Sequence, residues 1–285
     1  MNCTLNAGGR LLALNPPVVM GILNITPDSF YASSRVQDEK ALLQHAEKML
    51  EDGAAILDVG GYSSRPGAED ISLHEELQRV VPAVQLLHRH FPDAIISVDT
   101  FRAEVAREAL NEGAVIINDI TGGLGDHAMA ALAAERHVPY ICMHMRGTPQ
   151  TMMQHTDYTD LMGELLDFFH KRIAALHEAG VKDIILDPGF GFAKTPEQNF
   201  ELLSRLELLH LTGKPLLVGL SRKSMIWKTL GITVDEALNG TTALHMTALL
   251  KGACILRVHD VKEAVQTIKL FNRLTEAEAA IPHRI

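Results

Sequence analysis

Three times in this chain a glycine is followed by a short apolar run and, five positions on, by a polar residue. Gly53 leads through Ala54-Ala55-Ile56-Leu57 to Asp58, Gly113 through Ala114-Val115-Ile116-Ile117 to Asn118, and Gly252 through Ala253-Cys254-Ile255-Leu256 to Arg257. Gly180 opens a longer version that reaches Asp187 after seven positions. A glycine just past a helix readily takes the left-handed closing turn, and an unbroken apolar run suits a strand buried on both faces. The recurring junction therefore marks repeated βα units. Four more strands fit between them: residues 18–23 ending at Asn24, 94–98 ending at Asp99, 138–143 ending at His144, and 215–219 running into Ser221-Arg222-Lys223. Amphipathic helical stretches lie between, one of them opened by Ser72 and Glu75 as a capping box ahead of Leu77, Val80, Val81 and Val84.

Eight alternating units force a parallel sheet and can close into a barrel. An open doubly wound sheet would carry a GxGxxG turn after the first strand, and Gly21-Ile22-Leu23-Asn24 is not one. The expectation is an α/β chain forming a single (β/α)8 TIM barrel over residues 1–285. A short β-hairpin at about residues 3–15 precedes the barrel, with Gly8-Gly9 in its turn.

Composition narrows the partners. A net charge of −9 argues against nucleic acid, so an anionic ligand must be met by locally placed cations. No run of eighteen apolar residues suggests a membrane span. Pro16-Pro17 interrupt the first apolar stretch, against a signal peptide. Cys3, Cys142 and Cys254 are far apart, which suits a reducing cytoplasm. There is no HxH or HExxH spacing to propose a zinc site.

In a barrel of this kind the chemistry sits where the strands end. Those ends carry Asn24, Asp58, Asp99, Asn118, Met143, Asp187, Lys223, Arg257 and His259. The carboxylates and amides can accept from and donate to a flat, nitrogen-rich ring, since one carboxylate takes two parallel N–H bonds from an amidine-like edge. The cations, joined by Arg65 from the loop after strand two, suit phosphate, and Arg257 and His259 share one strand face. Asp58 stands evenly between a ligand role and holding loops together. Parity alone leaves open which of Asn118 and Asp119 faces the pocket, and His144 reads as a satisfied rim histidine. Met152-Met153 reads as packing. Asp187-Pro188-Gly189-Phe190-Gly191-Phe192 ends its strand on a carboxylate, because the proline cannot donate to a ladder and the glycines bend the chain away.

Taken in order, Met20-Gly21-Ile22-Leu23-Asn24-Ile25-Thr26-Pro27-Asp28-Ser29-Phe30, Gly60-Gly61-Tyr62-Ser63-Ser64-Arg65-Pro66-Gly67, Ser97-Val98-Asp99-Thr100, Ile117-Asn118-Asp119, the Asp187 to Phe192 stretch, Ser221-Arg222-Lys223 and Arg257-Val258-His259-Asp260 resemble the dihydropteroate synthase family. The resemblance covers nearly the whole chain. It implies a transferase of folate biosynthesis that condenses 6-hydroxymethyl-7,8-dihydropterin diphosphate with 4-aminobenzoate, by an SN1-like path. It implies that Asp99, Asn118, Asp187 and Lys223 hold the pterin, and that Asn24, Arg65, Arg257 and His259 hold the diphosphate, with Mg2+ on Asn24. Ser64, Pro66, Phe192, Lys223 and Ser224 would surround the aminobenzoate, and Met143 and Gly219 complete the substrate-binding set. Asp99, Asp187, Lys223, Arg257 and His259 are the expected catalytic groups, with Asp99 and Asp187 facing the developing pterin cation, and Arg257, His259 and Mg2+ the leaving pyrophosphate. A cytoplasmic homodimer is also implied.

Two stretches depart from the family pattern. Tyr31-Ala32-Ser33-Ser34-Arg35 stands where Ser-Asp-Gly-Gly is usual, and Tyr62 and Ser64 stand where glutamate and threonine are commoner. Both bear on the aminobenzoate pocket and its sulfonamide mimics. A methyltetrahydrofolate-binding methyltransferase and a pterin-binding barrel without turnover are the rival readings. The cations argue against the first, because a methyl carrier has no diphosphate to hold.

Overall fold

The computed structural model describes residues 3–25, 35–63 and 70–280. The first strands, β1 (Thr4–Ala7) and β2 (Arg10–Ala13), pair antiparallel with Ala7 opposite Arg10. Gly8 and Gly9 make the two-residue turn with φ of +62° and +82°, the primed geometry that follows the twist of a hairpin.

Eight parallel strands follow: β3 (Val18–Asn24), β4 (Ile56–Gly60), β5 (Ile95–Asp99), β6 (Ile116–Asp119), β7 (Tyr140–Met143), β8 (Ile184–Asp187), β9 (Leu217–Val218) and β10 (Ile255–Val258). They neighbour one another in the order β8-β7-β6-β5-β4-β3-β10-β9. A parallel bridge from Leu186 to Leu216 brings β8 to the chain entering β9, so the sheet curls into a barrel. Helices α1 (Arg35–Glu51), α2 (Leu73–His90), α3 (Ala103–Asn111), α4 (Met129–Arg136), α5 (Leu161–Glu178), α6 (Pro196–Ser204), α7 (Ser224–Leu230), α8 (Leu238–Leu250) and α9 (Val261–Ala280) alternate with the strands, with α7 and α8 both between β9 and β10. The four junction glycines at 53, 113, 180 and 252 all have φ between +88° and +114°, the backbone state their position requires.

Two of the expected strands are shorter than the apolar runs that announced them. β7 begins only at Tyr140 and β9 holds only Leu217–Val218, in both cases just after a proline. A proline has no N–H for the ladder, but its carbonyl still accepts. Ile117 donates to Pro139 at 3.0 Å and Leu186 to Pro215 at 2.9 Å. The expected capping box on α2 is half made. Ser72 Oγ accepts from Glu75 N, while the Glu75 carboxylate pairs with Arg79.

Side chains alternate across each strand, so every second residue faces the barrel axis. Facing in at the lower end, Met20, Ile56, Ile116, Ile141, Ile185, Leu217 and Ile255 form one apolar cluster, and Leu5 and Leu14 of the hairpin segment close it from below. Facing out, Leu57, Ile96, Ile117, Tyr140, Leu186 and Leu256 pack on the helices in the larger core. One inward step further along, the same strands carry Asp58, Asn118, Met143, Asp187, Gly219 and Arg257. The barrel interior thus turns from apolar to polar within two residues, and the polar layer floors the upper mouth. No helix among the described residues is long and apolar enough to cross a membrane.

Candidate active site

That mouth holds a small cleft lined by Asp99, Asn118, Ile120, Met143, Asp187, Phe192, Gly219, Lys223 and Arg257. Six of the nine are residues singled out by strand-end position, and Phe192 and Gly219 come from the substrate-binding set that the resemblance implies. Ile120 was in neither set, although it lies two positions after Asn118 and parity places both on the same face.

The acidic side of the cleft is organised around one guanidinium. Arg257 donates through Nε to Asp58 Oδ2 at 2.7 Å and through Nη2 to Asp99 Oδ2 at 2.5 Å. Asn118 Nδ2 donates to the same Asp58 oxygen at 3.0 Å. Asp58 is fully buried, and its other carboxylate oxygen has no hydrogen-bond partner among the described residues. Burial works against the charge on Arg257, but Asp58 and Asp99 more than reverse this and hold it above the usual guanidinium range. Burial raises Asp99 too, opposed by Arg257 and reinforced by Asp58 and Glu76. Asp58, evenly poised in the sequence, is a structural partner of two cleft residues. Arg257, grouped with the phosphate-binding cations, lies in this structure among the carboxylates and amides of the ring-binding set.

Parity resolves the Asn118–Asp119 pair. Asn118 faces the cleft, whereas Asp119 accepts from Tyr140 Oη at 2.5 Å, from Thr121 N and Oγ1 at 2.7 Å and from Gly123 N at 2.9 Å. Asp119 is thus the clasp of the loop after β6.

Opposite stands Asp187, the last residue of β8. Its Oδ1 accepts from Gly189 N at 2.8 Å, and burial raises its pKa against the pull of Lys223, Arg257 and Lys194. Gly189 has φ of +71° and faces the carbonyl of His144 so closely that a Cβ there would collide with it. Only glycine satisfies both demands. Gly191 N donates to Asn199 Oδ1 at 2.7 Å, tying the loop to α6, whose capping box of Thr195 and Gln198 is complete. Lys223 reaches across the same loop. Its ammonium donates to the carbonyl of Phe190 and lies 4.2 Å from the Phe192 ring centre. Burial lowers the Lys223 pKa to about 8, partly offset by Asp187.

The last two motifs dock on one another. Arg222, at φ of +55°, makes a bidentate pair with Asp260 at 2.8 Å on both arms. Ser221 Oγ lies 3.0 Å from His259 Nδ1 and accepts from His259 N at 3.3 Å. His259 is exposed just past the end of β10, and Ser224 is the first residue of α7. Asn24 ends β3 with an exposed side chain, in register with Gly60, and is not part of the cleft lining. Ser64, Arg65 and Pro66, and the departing stretch Tyr31 to Ser34, lie outside the described residues.

Behind the cleft, Met143, Met145, Met152, Ile120, Phe192 and Ala193 form a small apolar cluster, which gives Met152 its packing role. Met153 is exposed. His144 is buried, edge-on to Phe168 at 4.8 Å, with Nδ1 3.1 Å from Lys194 Nζ. Burial lowers its pKa to about 2, with Lys194 and Arg146 adding to the shift. Tyr62, a departure from the family pattern, donates to Asp70 at 3.0 Å, accepts from Gln150 at 2.7 Å and packs edge-on against Phe101. It joins the second loop to the loop after β7.

Fold and cleft together define a (β/α)8-barrel enzyme that sets carboxylates and an amide against partly buried cations at the strand ends. The family model described as pterin binding enzyme matches residues 20–259. The dihydropteroate synthase of Escherichia coli K12 is 44% identical over 95% of this chain and 96% of its own length. A Xanthomonas albilineans dihydropteroate synthase solved with 4-aminobenzoic acid superposes with a TM-score of 0.88 at 37% identity, covering 99% of this chain and 100% of that one. The Yersinia pestis enzyme in a sulfonamide drug complex gives 0.89 at 42% identity, over 96% of this chain and 100% of that one. The chain belongs to the pterin-binding enzymes and, within them, to the dihydropteroate synthases.

Proposed function

We infer that this chain, acting as one barrel domain with its hairpin, catalyses the dihydropteroate synthase reaction of folate synthesis. The observation that carries the reading is the cleft in which Asp99, Asn118 and Asp187 face Lys223 and Arg257. The carbon–oxygen bond between the pterin methylene and the diphosphate breaks, and its electron pair leaves with pyrophosphate. The lone pair of the 4-aminobenzoate nitrogen then forms the new carbon–nitrogen bond, and the proton released from nitrogen goes to solvent. Asp99 and Asp187 stabilise positive charge on the pterin, Asn118 reads its edge, and Met143 and Gly219 complete the walls. Such preorganised charges act strongly in a water-poor site.

Arg257 has a place in both halves. Held by Asp58 and Asp99 at the rim of β10, it lies between the pterin acids and the strand end that leads to His259. Asn24, Arg65 and His259 complete the diphosphate side. Phe192, Lys223 and Ser224, with Ser64 and Pro66, form the aminobenzoate side, where sulfonamides would compete.

Mg2+ suits the donor set. Asn24, an exposed residue at the end of β3, carries one amide oxygen, and no group of three His, Cys, Asp or Glu among the described residues is placed to hold a metal. A hard ion that keeps waters and takes oxygens from a bound diphosphate needs no more from the protein. When bound it would neutralise charge on the departing pyrophosphate. A cytoplasmic homodimer completes the reading.

The test is pyrophosphate release from the pterin diphosphate. Release that requires 4-aminobenzoate and Mg2+, with 7,8-dihydropteroate as the second product, supports it. Tight binding of the pterin diphosphate without release would favour a barrel that binds but does not turn over.

A further inference from the structure

Lys194 has an ammonium that none of the steps above uses, yet the residue is only 2% exposed. Its Nζ donates to the carbonyls of Gly189 and Phe192, both at 3.1 Å, and lies 3.1 Å from His144 Nδ1. A buried lysine without partners would be strongly unfavourable, so three well-placed ones make this a built site. The two carbonyls bracket the loop that starts at Asp187 and ends at Phe192. Between them, Lys223 takes the carbonyl of Phe190 from the cleft side. Two lysines therefore hold one short loop, Lys223 lining the cleft and Lys194 buried away from it.

We propose that Lys194 is a positioning residue which, through its three contacts, fixes the Asp187–Phe192 loop so that Asp187 meets the pterin and Phe192 meets the aminobenzoate. The proposal rests on the functional reading above. The contacts are complete in either protonation state. An ammonium gives three donors to two carbonyls and to the unprotonated Nδ1 of His144. A neutral amine gives two donors and accepts from Nδ1–H of the other tautomer. This matters because burial lowers the Lys194 pKa to about 7, with Asp187 pulling it up and Lys223 and Arg146 pushing it down. The loop therefore stays held on both sides of neutrality.

The experiment compares wild type with Lys194→Met in the full chain. It reads equilibrium binding of the pterin diphosphate, and KM for 4-aminobenzoate and kcat from pyrophosphate release. Loss of contacts of this strength predicts roughly a tenfold or greater weakening of pterin binding and a similar rise in KM. The kcat at saturation should fall much less. Both constants unchanged within about twofold, with only the thermal midpoint lowered, would overturn the proposal and leave Lys194 a packing residue. If Lys194→Met does not fold, His144→Leu removes one contact from outside the loop. It should weaken pterin binding in the same direction, and unchanged binding would overturn the proposal. Wild-type protein that binds the pterin diphosphate but releases no pyrophosphate would contradict the functional reading alone, since pterin binding still reports on Lys194.

Discussion

Asp58 shows how much one side chain does in this cleft. It is fully buried, holds both Arg257 and Asn118, and is not itself among the residues that line the cleft. Asp58→Ala leaves a partly buried guanidinium with one carboxylate partner instead of two. We expect a loss of about 3 kcal/mol, read from urea denaturation, and a larger fractional loss of turnover than of fold. His144 makes a pH prediction. Its folded-state pKa of about 2 lies below the ordinary value of 6.5, so it contributes stability above pH 6.5 that is lost progressively as the pH falls toward 2. Between pH 7 and pH 4 the urea midpoint of His144→Leu should fall less than that of wild type. Equal falls would mean that the imidazole is not held neutral. At this scale the sequence was readable where a residue ends a strand: Asp99, Asn118, Asp187, Lys223 and Arg257 all reach one cleft. Lys194 was not readable, because a lysine after an alanine in a loop carries no pattern, and its burial follows from long-range packing.

Among the elements, the loop after β8 is the most tightly determined. Gly189→Ala would require left-handed backbone from a residue that avoids it and would push a methyl into the His144 carbonyl. Pterin binding should be lost before the fold is, which titration of the pterin diphosphate against the variant would show. The N-terminal hairpin sits at the other end. Leu5, 1% exposed, belongs to the apolar layer that closes the barrel from below. Leu5→Ala should cost about 2–4 kcal/mol in unfolding free energy while leaving KM for both substrates unchanged at temperatures where the protein is folded. A changed KM would mean that the two ends of the barrel are coupled. The hairpin was legible because Gly8-Gly9 between apolar runs names its own turn. The length of β9 was not, because an apolar run records burial and says nothing about which amides find partners beside a proline.

Across the whole molecule, the barrel was anticipated from the repeated glycine-to-strand junction together with four further apolar runs between its copies, which made eight alternating units. Closure itself, through Leu186 and Leu216, depends on the curvature of all eight strands together and left no mark on any one segment. The same architecture separates stability at the lower end from chemistry at the upper one. The most direct test of that chemistry is pyrophosphate release with the pterin diphosphate, Mg2+ and 4-aminobenzoate, compared between wild type and Asp99→Asn. Asp99 faces the cleft from β5 and is tied to Arg257, so a neutral amide there removes the charge that would meet the pterin cation. The account predicts release that needs all three components in wild type and falls by at least about a hundredfold in the variant. Release that is undiminished by Asp99→Asn would contradict it.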